Sequence, residues 1–286
     1  MIRPHLADDD FLLDVRTAPA SAGCFHLWWL GQSGFLLAWD DHRVLLDPYL
    51  SDSLTRKYAT SDKPHIRMTE RVVDPARLEG IGIVTSSHAH TDHLDPETLG
   101  PLVAANPEIA IVAPEAIREL VAERASVPRE RPRGADDGCT LHVADFTIHG
   151  IAAAHDEVET DDAGQHLFLG YVLEFGGFTI FHSGDTILHD GLLERLHGFE
   201  IDVAILPING RAPERRVAGN LWGHEAARLA HDIGARLVVP CHYDLFSFNT
   251  ATPDAFVRAA MRLGQRYRVL HAGERWSSFE LAVAEG

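Results

Sequence analysis

The chain has 286 residues, 45% hydrophobic and 23% charged, the balance of a soluble globular protein with one large or two ordinary domains. Its 42 acidic and 25 basic residues leave a net charge of −17, a field that repels nucleic acid and anionic membrane surfaces and argues against a nuclease. No apolar run approaches the roughly 20 residues that span a bilayer, and Asp8, Asp9 and Asp10 stand where a signal peptide needs an apolar core, so a cytoplasmic location is expected.

Residues 1–24 are acidic and read as an irregular N-terminal extension over the surface. The apolar runs 25–30 and 35–39 flank Gly31-Gln32-Ser33-Gly34 and form a hairpin of two buried strands. A third strand, 44–47, ends at Pro48. The polar segment 51–74 is long for a compact domain unless it covers a site. A buried strand at 81–85 leads into a His-rich loop, and Asp95 as N-cap with Pro96 behind it opens a helix over 96–105.

A strand at 109–113, a helix at 114–124 and a loop at 126–138 follow. Strands at 140–143, 146–153 and 167–175 come next, with an acidic loop, 155–166, before the last of them. Gly176-Gly177 turns the chain into a strand at 178–182. The second half adds a helix at 191–197, a strand at 203–207, a loop at 208–222, a helix at 224–233 and a strand at 237–240. A helix near 253–263 and strands near Val269 and Phe279 close the chain. Strands, strand–helix units, strands and strand–helix units again suggest two sheets packed face to face with helices outside, in one domain over 25–286.

The loop Ser86-Ser87-His88-Ala89-His90-Thr91-Asp92-His93 carries four metal-ligating side chains within six residues. His88 and His90 can turn to one ion and Asp92 and His93 to a second. Imidazole and carboxylate donors suit Zn²⁺ and accept Mn²⁺ or Fe²⁺. Three later apolar runs deliver His155, Asp185 and His242, and strand ends are where a rigid scaffold holds such ligands. Cys24, Cys139 and Cys241 form no CxxC pair, so neither a disulfide framework nor a cysteine metal site is expected; Cys241 reads as a small buried residue.

His88-x-His90-x-Asp92-His93, then His155, Gly184-Asp185 and His242, resembles the five-motif signature of the metallo-β-lactamase superfamily, over a match running from about residue 25 to the end. The resemblance implies an α/β (α+β) fold, a four-layer αββα sandwich. It implies that His88, His90 and His155 hold one ion, that Asp92, His93 and His242 hold another, and that Asp185 bridges them around a hydroxide. Trp28-Trp29-Leu30-Gly31, His182-Ser183-Gly184-Asp185 and Val239-Pro240-Cys241-His242-Tyr243-Asp244 are similar to the subgroup that includes L-ascorbate-6-phosphate lactonase. The redox di-iron branch carries Glu where this chain has His90, so oxygen chemistry is not expected.

Two divalent ions, Zn²⁺ first and Mn²⁺ as the alternative, would activate water for hydrolysis of a small acidic lactone or ester. Asp92 and Asp185 are the expected catalytic carboxylates, with Tyr243 as oxyanion donor and Asp244 as partner to a ligand. His65 and Arg67 in the long loop, and Arg211, Arg215 and Arg216 before Trp222, are candidates to grip an anionic substrate, since Arg offers a planar fork to carboxylate or phosphate. His182, His224 and Trp222 are further candidates beside the site. A phosphodiesterase acting on a cyclic nucleotide or phospholipid-like compound, and a non-catalytic metal-binding protein, are the alternatives. The expected partner is a small-molecule substrate, with no nucleic acid and no membrane; the sequence is compatible with a monomer and with a homo-oligomer.

Overall fold

Continuous apolar runs make strands with no wet face, and these set the architecture. In the computed structural model, residues 1–282 are described. The first half holds α1 (Asp8–Thr17), β1 (Phe25–Gly31), β2 (Gly34–Trp39), β3 (His42–Leu46), α2 (Ser53–Lys57), β4 (Ile83–Thr85), α3 (Pro96–Ala105), β5 (Ala110–Pro114), α4 (Arg118–Ala125) and β6 (Arg133–Ala135). The second half holds β7 (Thr140–Val143), β8 (Phe146–Ala152), β9 (Leu169–Phe175), β10 (Phe178–His182), α5 (Leu192–Leu196), β11 (Val203–Pro207), α6 (Gly223–Asp232), β12 (Leu237–Cys241), α7 (Asp254–Leu263), β13 (Arg275–Ser277) and α8 (Phe279–Ala282).

One sheet has the strand order β13-β1-β2-β3-β4-β5-β6 and the other β12-β11-β10-β9-β8-β7. Phe25 from β1 meets Phe175 (5.5 Å) and Phe178 (4.9 Å) of the opposite sheet edge-on, a geometry aromatic pairs favour. Outside, α4 packs on β5 and α3 on α4, while α6 packs on β11 and β12 and α7 on α6. The order is helix, sheet, sheet, helix.

Strands β3, β4 and β5 run parallel, as do β10, β11 and β12, and β8 runs the same way because β9 lies antiparallel to both β8 and β10. The carboxyl ends of β3, β4, β8, β10 and β12 therefore meet at one edge of the sandwich. Among the described residues no helix is long and apolar enough to cross a membrane.

Four local expectations need correction. Residues 8–17 form a helix, with Asp8, Asp9 and Asp10 in the first turn complementing the helix dipole. Its face of Phe11, Leu12 and Val15 is buried in the same core as both sheets, so the N-terminal extension is part of the domain rather than an irregular surface wrap. The loop 126–138 contains β6, which extends the first sheet beside β5. The helix at 114–124 starts as a 3₁₀ turn, Glu115–Ile117, before α4. At the end, Phe279 opens α8 rather than a strand, and near Val269 only Tyr267 makes an isolated bridge, to Val238.

Phe11→Ala is expected to destabilise the protein by about 3–5 kcal/mol, the range for deleting a fully buried phenyl ring. Leu13→Ala, on the exposed face of the same helix, should stay within about 0.5 kcal/mol. Denaturant midpoints for the pair check this; equal midpoints would mean the helix is not part of the core.

Candidate metal centre

Each ligand loop is held by backbone bonds that the sequence makes easy. After β4, Ser86 donates its N–H to Val112 O (2.9 Å), and His93 and Leu94 both bond back to His90 O (3.0 and 2.8 Å). That turn folds the His-rich loop on itself. Arg124 pins it from outside, with Nη1 donating to Ala89 O (2.6 Å) and Leu94 O (3.0 Å). After β10, Gly184 has φ +59°, and a Cβ there would lie 2.5 Å from Ser87 Cβ. Only glycine fits where the second sheet's loop passes the first sheet's, and Asp185 follows it.

Three triads of ligand atoms converge, each within 4.8 Å: His88, His90 and His155; His88, His93 and Asp185; Asp92, His93 and His242. Asp185 sits between them. Its Oδ1 lies 3.3 Å from His93 Nε2, and its Oδ2 lies 3.5 Å from His155 Nε2 and 3.3 Å from His242 Nε2.

The other ring nitrogens decide which lone pairs face inward. Asp47, fully buried, accepts from His93 Nδ1 (2.6 Å), so His93 Nε2 is the free acceptor. His155 Nδ1 donates to Gly219 O (2.7 Å), which leaves its Nε2 free in the same way. Ser87 gives its hydroxyl proton to Asp47, so its oxygen can accept from His88 Nδ1 (3.0 Å) and His88 Nε2 also turns inward. Gln32 donates its amide to Asp92 Oδ2 (2.7 Å) and lies 3.1 Å from His242 Nε2.

Charge follows from this packing. Burial holds His88 well below its ordinary pKa, with His93 and His90 adding to the effect, and partial desolvation lowers His90, which stays open to the pocket. For Asp185, burial favours protonation but the His242 and His93 charges outweigh it, so the carboxyl is held well below its usual range. Asp92 is lowered in the same sense, burial being outweighed by His93 and His242. Burial works against charge on His93 too, yet Asp185 and Asp92 raise it well above an ordinary histidine, so Nε2 becomes an acceptor for an ion by giving up a proton.

These residues fit a metal. His88 Nε2, His93 Nε2 and Asp185 Oδ1 are buried and have no hydrogen-bond partner among the described residues. A buried polar atom left unpaired costs about 1–3 kcal/mol, and three converging ones are the donor set a divalent cation satisfies.

Several expected substrate contacts lie elsewhere. Tyr243 donates its hydroxyl to Leu270 O (2.5 Å) and packs its ring 4.3 Å from Trp29, inside the core. It is no oxyanion donor in this geometry, because its hydroxyl is engaged with Leu270 and its side chain is buried outside the pocket lining. Asp244 lies outside the pocket lining, and burial raises its pKa. Arg67 is spent on Asp52 (2.6 Å) and the Ser51 carbonyl. Arg211 forks onto both oxygens of Glu225 (2.7 Å each), Arg215 donates to Asn209 O (2.5 Å) and Thr250 O (3.1 Å), and Arg216 pairs with Asp62 (2.8 Å). Trp222 caps α6, its N–H donated to Glu225 (2.8 Å), and His224 is exposed in the first turn; neither lines the pocket. His182 donates Nε2 to Ser33 O (2.9 Å) and is structural.

His65 does line the pocket, with Lys57, Tyr58, Phe246 and Phe248. The sequence reading passed over these four, and also Asp47 and Gln32. Asp47 carried the signal used for Asp185, an acid at the end of an apolar strand; Gln32 was a polar residue in a turn between two buried strands.

Residues 42–243 match the family model described as a β-lactamase superfamily domain. The chain is 29% identical over 276 residues to a metal-dependent hydrolase of Rubrobacter xylanophilus, covering 90% of this chain and 98% of that one. It is 24% identical over 269 residues to "Probable L-ascorbate-6-phosphate lactonase UlaG" of Escherichia coli, covering 84% and 75% respectively. In fold it is similar to an isothiocyanate hydrolase from Delia radicum gut bacteria, with a TM-score of 0.70, 18% identity, and 88% and 98% of the two chains covered. The chain thus belongs to the β-lactamase superfamily, as a metal-dependent hydrolase.

Proposed function

We propose that the protein hydrolyses a small ester or lactone at a pair of divalent ions, Zn²⁺ in first place and Mn²⁺ second. The observation that carries this reading is the convergence of three ligand triads on shared side chains, with buried acceptor atoms that nothing else satisfies. His88, His90 and His155 would hold one ion and Asp92, His93 and His242 the other, with Asp185 offering an oxygen to each. Two ions so held supply a water acidified towards a pKa of about 7 and an electrophile for the acyl oxygen.

The chain's own groups do the rest. Asp47 and Gly219 fix the rings of His93 and His155 so that Nε2 faces inward. Asp92, which lines the pocket, would take the proton of the attacking water and pass it to the departing oxygen. Gln32 holds Asp92 in that orientation. An anionic substrate loses its expected support, since Arg67, Arg211, Arg215 and Arg216 are all engaged elsewhere.

A panel of lactones, aryl acetates and bis(p-nitrophenyl) phosphate, assayed on metal-loaded protein, tests the reading. Turnover of a lactone or ester is expected, with kcat/KM lowered about 10²–10⁴-fold by Asp92→Asn as for loss of a proton-transfer group. Tyr243→Phe should leave kcat/KM nearly unchanged while costing about 0.5–1.5 kcal/mol of stability from the lost hydrogen bond. Turnover of the phosphodiester alone would replace this reading with a phosphodiesterase.

Asp47→Asn keeps the shape of the buried carboxylate and removes its charge. Its metal affinity is expected to fall about 10–100-fold, the effect of losing a partner behind a ligating histidine. A chelator-competition titration checks this; unchanged affinity would mean Asp47 does not orient His93 for metal.

A further inference from the structure

Beside the main core the structure contains a second, small hydrophobic cluster: Tyr49, Leu54, Leu245 and Phe246, with Tyr58 and Phe248 packed on it and only partly buried. It does not join the sheets. It backs part of the pocket wall, since Leu54, Tyr58, Phe246 and Phe248 line a space of about 350 Å³ together with His90, Asp92, His155, Asp185 and His242. That volume suits one small molecule.

His65 ties the wall into a box. Its ring stacks on Tyr58 (4.2 Å, 17°) and meets Phe248 (4.4 Å, 60°) and Phe246 (5.4 Å, 72°). Tyr49 supports Phe246 from behind at 5.9 Å. His65 Nδ1 donates to Lys63 O (3.1 Å), which fixes the ring plane, and burial keeps its pKa below the ordinary histidine value. The 208–222 loop adds Val217 and Ala218 to the lining rather than an arginine.

The charges around the box narrow what it accepts. Two cations line the pocket, and Arg124 among them is committed to two carbonyls of the metal loop. Lys57 places its ammonium 5.1 Å from the Tyr58 ring, and Lys63, against Phe248 at 5.9 Å, donates to the Arg215 carbonyl. A phosphate group would find Arg124 Nη1 already committed and Lys57 as a single point charge, with no second arginine in the lining beside them. A cationic ligand would be repelled by the Lys57 and Lys63 ammonium groups that lie over Tyr58 and Phe248. A flat, uncharged, apolar ring meets neither obstacle.

We infer that the substrate carries such a ring, aryl or similarly planar, which packs against the Tyr58–His65–Phe246–Phe248 box while the acyl group reaches the His/Asp cluster. A phosphorylated sugar is a poor fit. The inference rests on the hydrolase reading of this site, but its own test separates the two.

Phenylacetate and acetate present the same carboxylate and differ only in the ring, with inorganic phosphate as the third probe. Binding of all three is measured by calorimetry on the metal-loaded protein and again after chelation, beside the metal content of each sample. Phenylacetate is expected to bind about tenfold or more tighter than acetate, as stacking on several rings allows, and phosphate weaker than phenylacetate. Phe248→Ala and Tyr58→Ala should each reduce the phenylacetate-to-acetate ratio about threefold or more with metal content unchanged. A ratio near one in protein that loads metal, or a ratio untouched by both variants, or tightest binding of phosphate, would overturn the inference. Failure of the hydrolase reading shows differently, as protein that takes up no metal while the ratio persists.

Discussion

Everything at the working edge of this fold depends on keeping a cluster of imidazoles and carboxylates, most of them buried, in register. Asp185 is 3% exposed and His93 is fully buried, and groups of this kind are tolerated inside a protein only when each is oriented and paired. Asp47 supplies that order. It receives bonds from the Ser87 backbone, the Ser87 hydroxyl and His93 Nδ1, and through Ser87 it reaches His88. One carboxylate at the end of β3 thereby sets two ligand rings of the loop that follows β4. The parallel pairing of those two strands is what brings them within reach.

The backbone is bent to the same purpose. Gln32, Asp47, His242 and Asp244 are non-glycine residues at positive φ (52°, 40°, 62° and 57°), and all four sit at or beside the cluster. Such conformations are disfavoured by about 1–3 kcal/mol each and persist only where surrounding structure imposes them. Here the imposing structure is the aromatic and aliphatic core between the sheets, which makes the strand ends rigid. The satellite cluster around Phe246 is built separately and lines part of the same pocket, so the ligand residues and the aromatic wall rest on different parts of the packing.

Much of this was legible in the residues. Strand-forming runs that each end in His or Asp read directly as a ligand-bearing edge, and the structure brings all seven of those side chains together. Asp95-Pro96 marked the start of α3 because a cap and a fixed φ act locally, and Asp95 does accept from the Glu97 N–H. What failed was whatever depended on tertiary partners. The acids of 8–10 hid a helix whose apolar face is only three residues, Phe11, Leu12 and Val15. Arginine in a loop signals an anion site only while it is unpaired, and Asp52, Glu225 and Asp62 were invisible as partners from sequence distance. The chain turns at His242 (φ +62°), so strand alternation does not tell which way Tyr243 points, and it turns into the core as Cys241 does. The pocket's aromatic wall draws on 54–65 and 246–248, segments with no period to announce them.

Metal content of protein purified without chelator, measured for wild type and for His93→Ala and His155→Ala, tests the central claim most directly. The account predicts about two divalent ions per wild-type chain and the loss of roughly one in each variant, because the two histidines belong to different triads. One ion or none in wild type, unaffected by either substitution, would contradict it.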